Sequence, residues 1–261
     1  MEYGYVPSLT RRISPWFLLI LGITLLGGVL AAAAVPTRSG VLATSGIFVL
    51  VLGGWVVSLC LHEYGHAVTA YRGGDTSVAA KGYLTLDVRR YADPGLSLVL
   101  PLIILLIGGL PLPGGAVWIN QWALRSRARR SAVSLAGPAA NLALGIVLII
   151  TVAAFPGMPR PVAAGLSALA YFQIIAFVLN MLPVPGLDGW GALEPYLSAP
   201  ARRLGERVRP WAPFVLLALL LFVPGVSALF FAATQLLFGA AGGDQELFRL
   251  GYSAMFFWRN L

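Results

Sequence analysis

Charge is scarce in this chain. Asp, Glu, Lys and Arg together make up 11% of its 261 residues, against about a quarter in a soluble domain. Apolar residues reach 58% and the mean hydropathy is +0.82. That balance excludes an ordinary soluble domain, a disordered chain and a collagen-like one. No polar stretch is long enough to be a separate soluble domain. Cysteine is nearly absent: Cys60 stands alone in an apolar run, so no internal disulfide is available and its plain reading is packing. Histidine is limited to His62 and His66, and lysine to Lys81 among 18 basic residues. That lysine shortage, with abundant alanine, is associated with GC-rich bacterial genomes. A net charge of +8 and a pI near 10.1 would suggest a nucleic-acid partner in a soluble protein. Here basic flanks of membrane spans account for it, and no nucleic-acid partner is expected.

What the chain does have is apolar length. Residues 15–35 form a run of about 21, enough to cross a ~30 Å hydrocarbon core. Arg11 and Arg12 precede it and small alanines follow, which imitates a secretory signal; its length and the spans after it favour a signal anchor. A second span covers 41–70. A polar stretch, 71–94, follows, in which 82–88 alternates weakly and predicts a strand or small β-hairpin. Residues 95–118 are apolar but broken by Pro101, Gly108, Gly109, Pro111 and Pro113. Third and fourth spans cover 131–155 and 161–183. Residues 211–239, with Pro224 and Gly225 at the middle, are long for one span and short for two. The tail, 244–261, mixes aromatics with charges and predicts an interfacial helix.

Arginines decide the threading. With the N-terminus inside, 95–118 re-entrant and 211–239 as two passes, 16 basic residues lie inside and 2 outside. Treating 95–118 as a full crossing turns this into 7 against 11, while a single kinked span at 211–239 gives 14 against 4. The expectation is an all-α polytopic membrane protein with about six transmembrane helices, five being the alternative. A β-hairpin or re-entrant segment follows the second. The chain reads as one integral-membrane domain, 1–261, with a core at 41–195 and accessory helices and tail at 195–261. This threading puts the ends of the second and fourth spans on one, cytoplasmic, side of a bacterial cell membrane.

Those two ends carry the chemistry. His62 and His66 stand at i and i+4 on one helix and so share a face. Two imidazoles spaced this way can hold one Zn²⁺, and Glu63 is placed to act on a water there. Zinc lowers the pKa of such a water to about 7, and a glutamate can take the proton. Solvated polar residues at a helix end are the bland alternative. Three ionisable residues near membrane depth are costly, which argues for function. A catalytic site needs a third ligand. Cys60 points about 200° away around the helix. The remaining acids outside polar loops are Asp188 and Glu194; Asp188 stands where a span breaks at Pro183 and Pro185 with Gly186 and Gly189 around it, and an aspartate closing a turn is its ordinary reading.

Three segments then resemble the site-2 protease family of intramembrane zinc metalloproteases. They are His62-Glu63-Tyr64-Gly65-His66, Ala136-Gly137-Pro138-Ala139-Ala140-Asn141, and Asn180 through Gly189 with its Leu187-Asp188-Gly189 end. The resemblance spans about residues 50–195, with the motifs in family order. It implies one Zn²⁺ per chain on His62, His66 and Asp188, with Glu63 as catalytic base. It also implies hydrolysis of single-span membrane proteins in the bilayer, in regulated intramembrane proteolysis. Asn141 and Asn180 are candidates to bind substrate or its oxyanion; for Asn141 a buried amide bonded across helices is the equal alternative. Gly137, Pro138, Pro183 and Pro185 shape the site. The 82–88 segment offers either a strand edge for an unwound substrate or a structural cover. Two rivals use the same residues: a metal transporter with a transit site, and an inactive membrane scaffold. Transporters usually carry paired repeats, and this sequence shows no second His-rich half.

Overall fold

The computed structural model describes residues 13–91 and 117–260. Its long helices are α1 (Pro15–Thr37), α2 (Gly40–Gly73), α3 (Arg127–Ala154) and α4 (Arg160–Asn180). Two shorter ones follow, α5 (Asp188–Leu193) and α6 (Ala199–Val208), then α7 (Ala212–Phe222), α8 (Pro224–Ala240) and α9 (Gln245–Met255). Helices α1 to α4 are each long and apolar enough to cross a membrane.

Local chemistry sets the helix ends. Ser14 accepts from the Trp16 N–H and Pro15 opens α1, where its missing N–H costs nothing. Ser39 caps α2 through the Leu42 N–H. Only Arg38 and Ser39 separate α1 from α2, so the pair is antiparallel. The two backbones approach where Gly27 meets Leu50 and Gly46 meets Ala31. Helix α2 has 34 residues, about 51 Å at 1.5 Å each, so it runs past a ~30 Å hydrocarbon core. His62 comes roughly 33 Å along it.

Helix α4 is the enclosed one, with 78% of its apolar window buried. Around it pack α1, α2, α3, α8 and α9. Tyr171 stacks on Phe248 at 4.0 Å between ring centroids and meets the edge of Phe238 at 5.3 Å. The tail helix α9 buries Phe248, Gly251 and Met255 in this contact.

Two expectations change. The 82–88 segment is not a hairpin: Tyr83–Thr85 and Val88–Arg90 are 3-10 turns, and there is no strand among the described residues. Tyr83 and Leu84 are adjacent and both buried, which an alternating strand could not do. Gly82 (φ 74°) and Leu86 (φ 59°) adopt left-handed backbone that breaks any extended run. The segment is a cover. Tyr83, Leu84 and Tyr91 pack with Cys60, Ala67 and Ala70 of α2, and Asp87 pairs with Arg89 at 2.8 Å. No strand edge is offered to a substrate there. The re-entrant reading of 95–118 falls almost wholly outside the described residues.

Among the described residues there are four candidate spans, or five with one broken pair, where six were expected. Helices α7 and α8 meet at a 95° bend at Pro224. Helix α7 has 11 residues, about 16 Å, too short to cross alone. The chain enters α7 beside the loop after α4, since a side chain at Gly186 would touch Arg209 O and Pro213. It leaves α8 to reach Glu246, which pairs with Arg160 at the opposite end of α4. The α7–α8 pair therefore travels the length of α4 once.

Candidate metal centre

Three elements meet at one point. Helix α2 brings His62 and His66 on adjacent turns, α3 crosses behind them, and the break after α4 delivers Asp188. His62 Nε2 lies 3.2 Å from Asp188 Oδ2, and His66 Nε2 lies 3.4 Å from Oδ1. The two Nε2 atoms are 3.0 Å apart. Both rings are buried, while Asp188 is partly exposed. The three residues are the one such group among the described residues, with ligand atoms all within 4.8 Å.

Helix α3 sets the imidazoles. Its buried face repeats every four residues: Val133, Gly137, Asn141, Gly145, Ile149. The Val133 carbonyl lies 2.7 Å from His66 Nδ1, and Asn141 Oδ1 lies 2.5 Å from His62 Nδ1. Both oxygens only accept, so each ring donates from Nδ1 and leaves the Nε2 lone pair toward Asp188. Between them Gly137 has no room for a side chain. A methyl there would fall 2.6 Å from His62 Nε2 and closer still to His66 Nε2. Gly65 of α2 likewise faces the Ala136 carbonyl, 2.7 Å from where a Cβ would stand. The two glycines let the helices close until the rings rest on α3 backbone.

Asp188 is placed by a turn that few residues could form. Pro183 and Pro185 cannot continue a helix. Gly186 takes φ 102°, which favours glycine. The chain then re-enters a helix at Asp188, whose charge suits the first turn. Gly189 has the carbonyls of Met181 and Leu182 against it, the latter 2.6 Å from a would-be Cβ. Ser131 Oγ donates to Ala192 O at 2.6 Å and ties this short helix to α3.

Zinc fits this donor set. Neutral rings with protonated Nδ1 turn four acceptors toward each other, two nitrogens and two carboxylate oxygens. No hydrogen bond can form among them, and a cation between them relieves the repulsion. Ligand atoms sharing one tetrahedral zinc at about 2.0–2.1 Å stand roughly 3.3 Å apart. The two Nε2 atoms are 3.0 Å apart, and each lies 3.2 or 3.4 Å from its nearer carboxylate oxygen, separations of that size. Two imidazoles and a carboxylate leave one position open, as a catalytic zinc requires.

The remaining expected residues fall as follows. Glu63 is buried, and its Oε2 accepts from the Val117 N–H at 3.1 Å; it stands outside the three-residue group. Asn141 is engaged within the protein at both ends of its amide, Oδ1 to His62 and Nδ2 to Gln173 Oε1 at 2.8 Å. Of its two readings, this geometry is that of the amide bonded across helices. Asn180 is buried at the end of α4, and Pro138 is buried inside α3. Pro183 lies exposed in the loop. Sequence reasoning missed Gln173, wholly buried mid-way along α4. A polar amide deep in an apolar span was the available signal.

The chain is 46% identical over 248 residues to Rip2 of Mycobacterium tuberculosis, designated a candidate zinc metalloprotease, with 95% of each chain covered. The Rip2 of Mycolicibacterium smegmatis is 43% identical over the same share. YwhC of Bacillus subtilis, another candidate zinc metalloprotease, is 31% identical over 152 residues, 53% of this chain and 65% of that one. No family model matches the chain, and no solved structure does.

Proposed function

The chain belongs to the site-2 protease family of zinc metalloproteases, and we propose that it is an active member that cleaves transmembrane segments of single-span membrane proteins, in regulated intramembrane proteolysis. Its cofactor is zinc. The observation that carries the reading is the group of His62, His66 and Asp188, 3.0–3.4 Å apart and assembled from the ends of apolar spans, with the acid Glu63 next in sequence to a ligand.

The roles follow from these residues. His62 and His66, through Nε2, and Asp188 would hold the metal. Zinc when bound supplies a Lewis acid for the scissile carbonyl and a water acidic enough to ionise near neutral pH. Glu63 takes the proton of the attacking water and passes it to the departing amine. The Val117 N–H on Oε2 keeps that carboxylate in place. Buried rings and a partly exposed Asp188 make the Asp188 side the approach for substrate. The arginine distribution supports a cytoplasmic placement of this end and of the N-terminus, which would release a cytosolic fragment.

The test is reconstituted cleavage of a panel of single-span substrates by the wild type and by Glu63→Gln, with bound zinc quantified. Wild type is expected to cleave; the variant is expected to keep about one zinc per chain and to lose activity by at least ~100-fold. Cleavage that survives Glu63→Gln overturns the assigned mechanism.

A further inference from the structure

The geometry points to Gln173 as a positioning residue for the metal centre: acting through Asn141, it holds His62 in the ring form that can bind a metal. This rests on the zinc reading above and adds a residue that none of the three motifs contains.

The argument begins with a difference between the two histidines. His66 is oriented by the Val133 carbonyl, a main-chain group with no alternative setting. His62 is oriented by the side-chain amide of Asn141, and an amide has two settings. With Oδ1 toward the ring, Nδ1 carries the proton and Nε2 is free. With Nδ2 toward the ring, an N–H donates to the Nδ1 lone pair, the ring proton moves to Nε2, and a ligand is lost. A choice at Asn141 thus decides whether His62 can coordinate.

Gln173 bears on that choice. Its Oε1 accepts from Asn141 Nδ2 at 2.8 Å, so Asn141 cannot leave the metal-competent setting alone: reversed by itself it would turn one carbonyl on another, and it can reverse only if Gln173 reverses with it. Among the described residues the same arrangement leaves Gln173 Nε2 without a hydrogen-bond partner, in a side chain with no exposed surface. A residue present only to fill volume would be better served by an apolar side chain, since an unpaired buried donor is destabilising. Gly145 makes the space: a side chain there would stand 3.2 Å from Gln173 Cβ. The line Gln173, Asn141, His62 thus runs from α4 through α3 to α2, and each link is buried. Outer partners of metal-bound histidines commonly tune affinity by 10–100-fold when removed.

An aspartate at 141 can only accept, so it sets the His62 ring without help. That gives a test a packing role would not pass. Zinc affinity is measured by chelator competition on the full chain in detergent, for wild type, Gln173→Met, Asn141→Asp and the double variant, with thermal unfolding recorded alongside. Gln173→Met is expected to weaken zinc by about 10-fold or more in the wild-type background and by less than ~2-fold in the Asn141→Asp background. Gln173→Glu, which keeps an acceptor for Asn141, is expected to restore affinity to within ~3-fold and guards against a folding defect in the methionine variant. Equal losses in both backgrounds, or no loss in the first, overturn the relay while leaving the zinc site standing. A wild-type chain that takes up no zinc overturns the metalloprotease reading, and the relay with it.

Discussion

Two helix contacts in this molecule are built by opposite means. Between α2 and α3 the contact is made of what is missing: Gly65 faces the Ala136 carbonyl and Gly137 faces two imidazole nitrogens. Between α4 and α9 it is made of bulk: Tyr171 stacks on Phe248, and Phe172 meets Tyr252 at 6.3 Å. Both join apolar helices, yet they serve different ends. The first sets a distance, because the rings reach Asp188 only if the backbones close. The second buries area, and many side chains of similar size would bury it as well. Added volume should therefore be ruinous in one contact, and lost volume merely destabilising in the other.

The largest effect is expected from Gly137→Ala. Its methyl would press on both Nε2 atoms, where no flexible neighbour can yield, so zinc retention should fall by more than ~100-fold and cleavage should vanish. Chelator competition would show it, and undiminished zinc binding would break the contrast drawn above. Phe248→Ala, in the bulky contact, should cost about 3–5 kcal/mol of stability and leave zinc affinity unchanged once folded; denaturant titration beside the same chelator assay separates the two quantities. Smallest should be Arg160→Gln. The Arg160–Glu246 pair at the rim of the α4–α9 contact is exposed on both sides, so its loss should cost less than about 1 kcal/mol. A larger loss would mean that charge, and not the aromatic rings, fastens α9.

Much of this was legible in the sequence because it depends on spacing and run length. The four long helices announce themselves as apolar runs, and His62 and His66 share a face by the helical period alone. Asp188 follows from the shortage of other ligands and from the prolines and glycines around it. What was not legible depends on distant partners. Residues 211–239 fit one span or two until Glu246 is seen beside Arg160, 86 residues earlier. The weak alternation at 82–88 suggested a strand, and the burial of neighbouring Tyr83 and Leu84 against α2 decided otherwise. Asn141 had two equal readings because its partners come from α2 and α4, 79 and 32 residues away in the chain.

The wide separation of the ligands also has a consequence in time. During synthesis the histidine pair is present as soon as α2 has been made, but Asp188 arrives only after α3 and α4. Two imidazoles alone make a poor zinc site, and a preformed site rarely exists before folding. The emerging chain thus carries no complete centre until α4 and the turn after it have docked, so zinc uptake is expected to follow that docking.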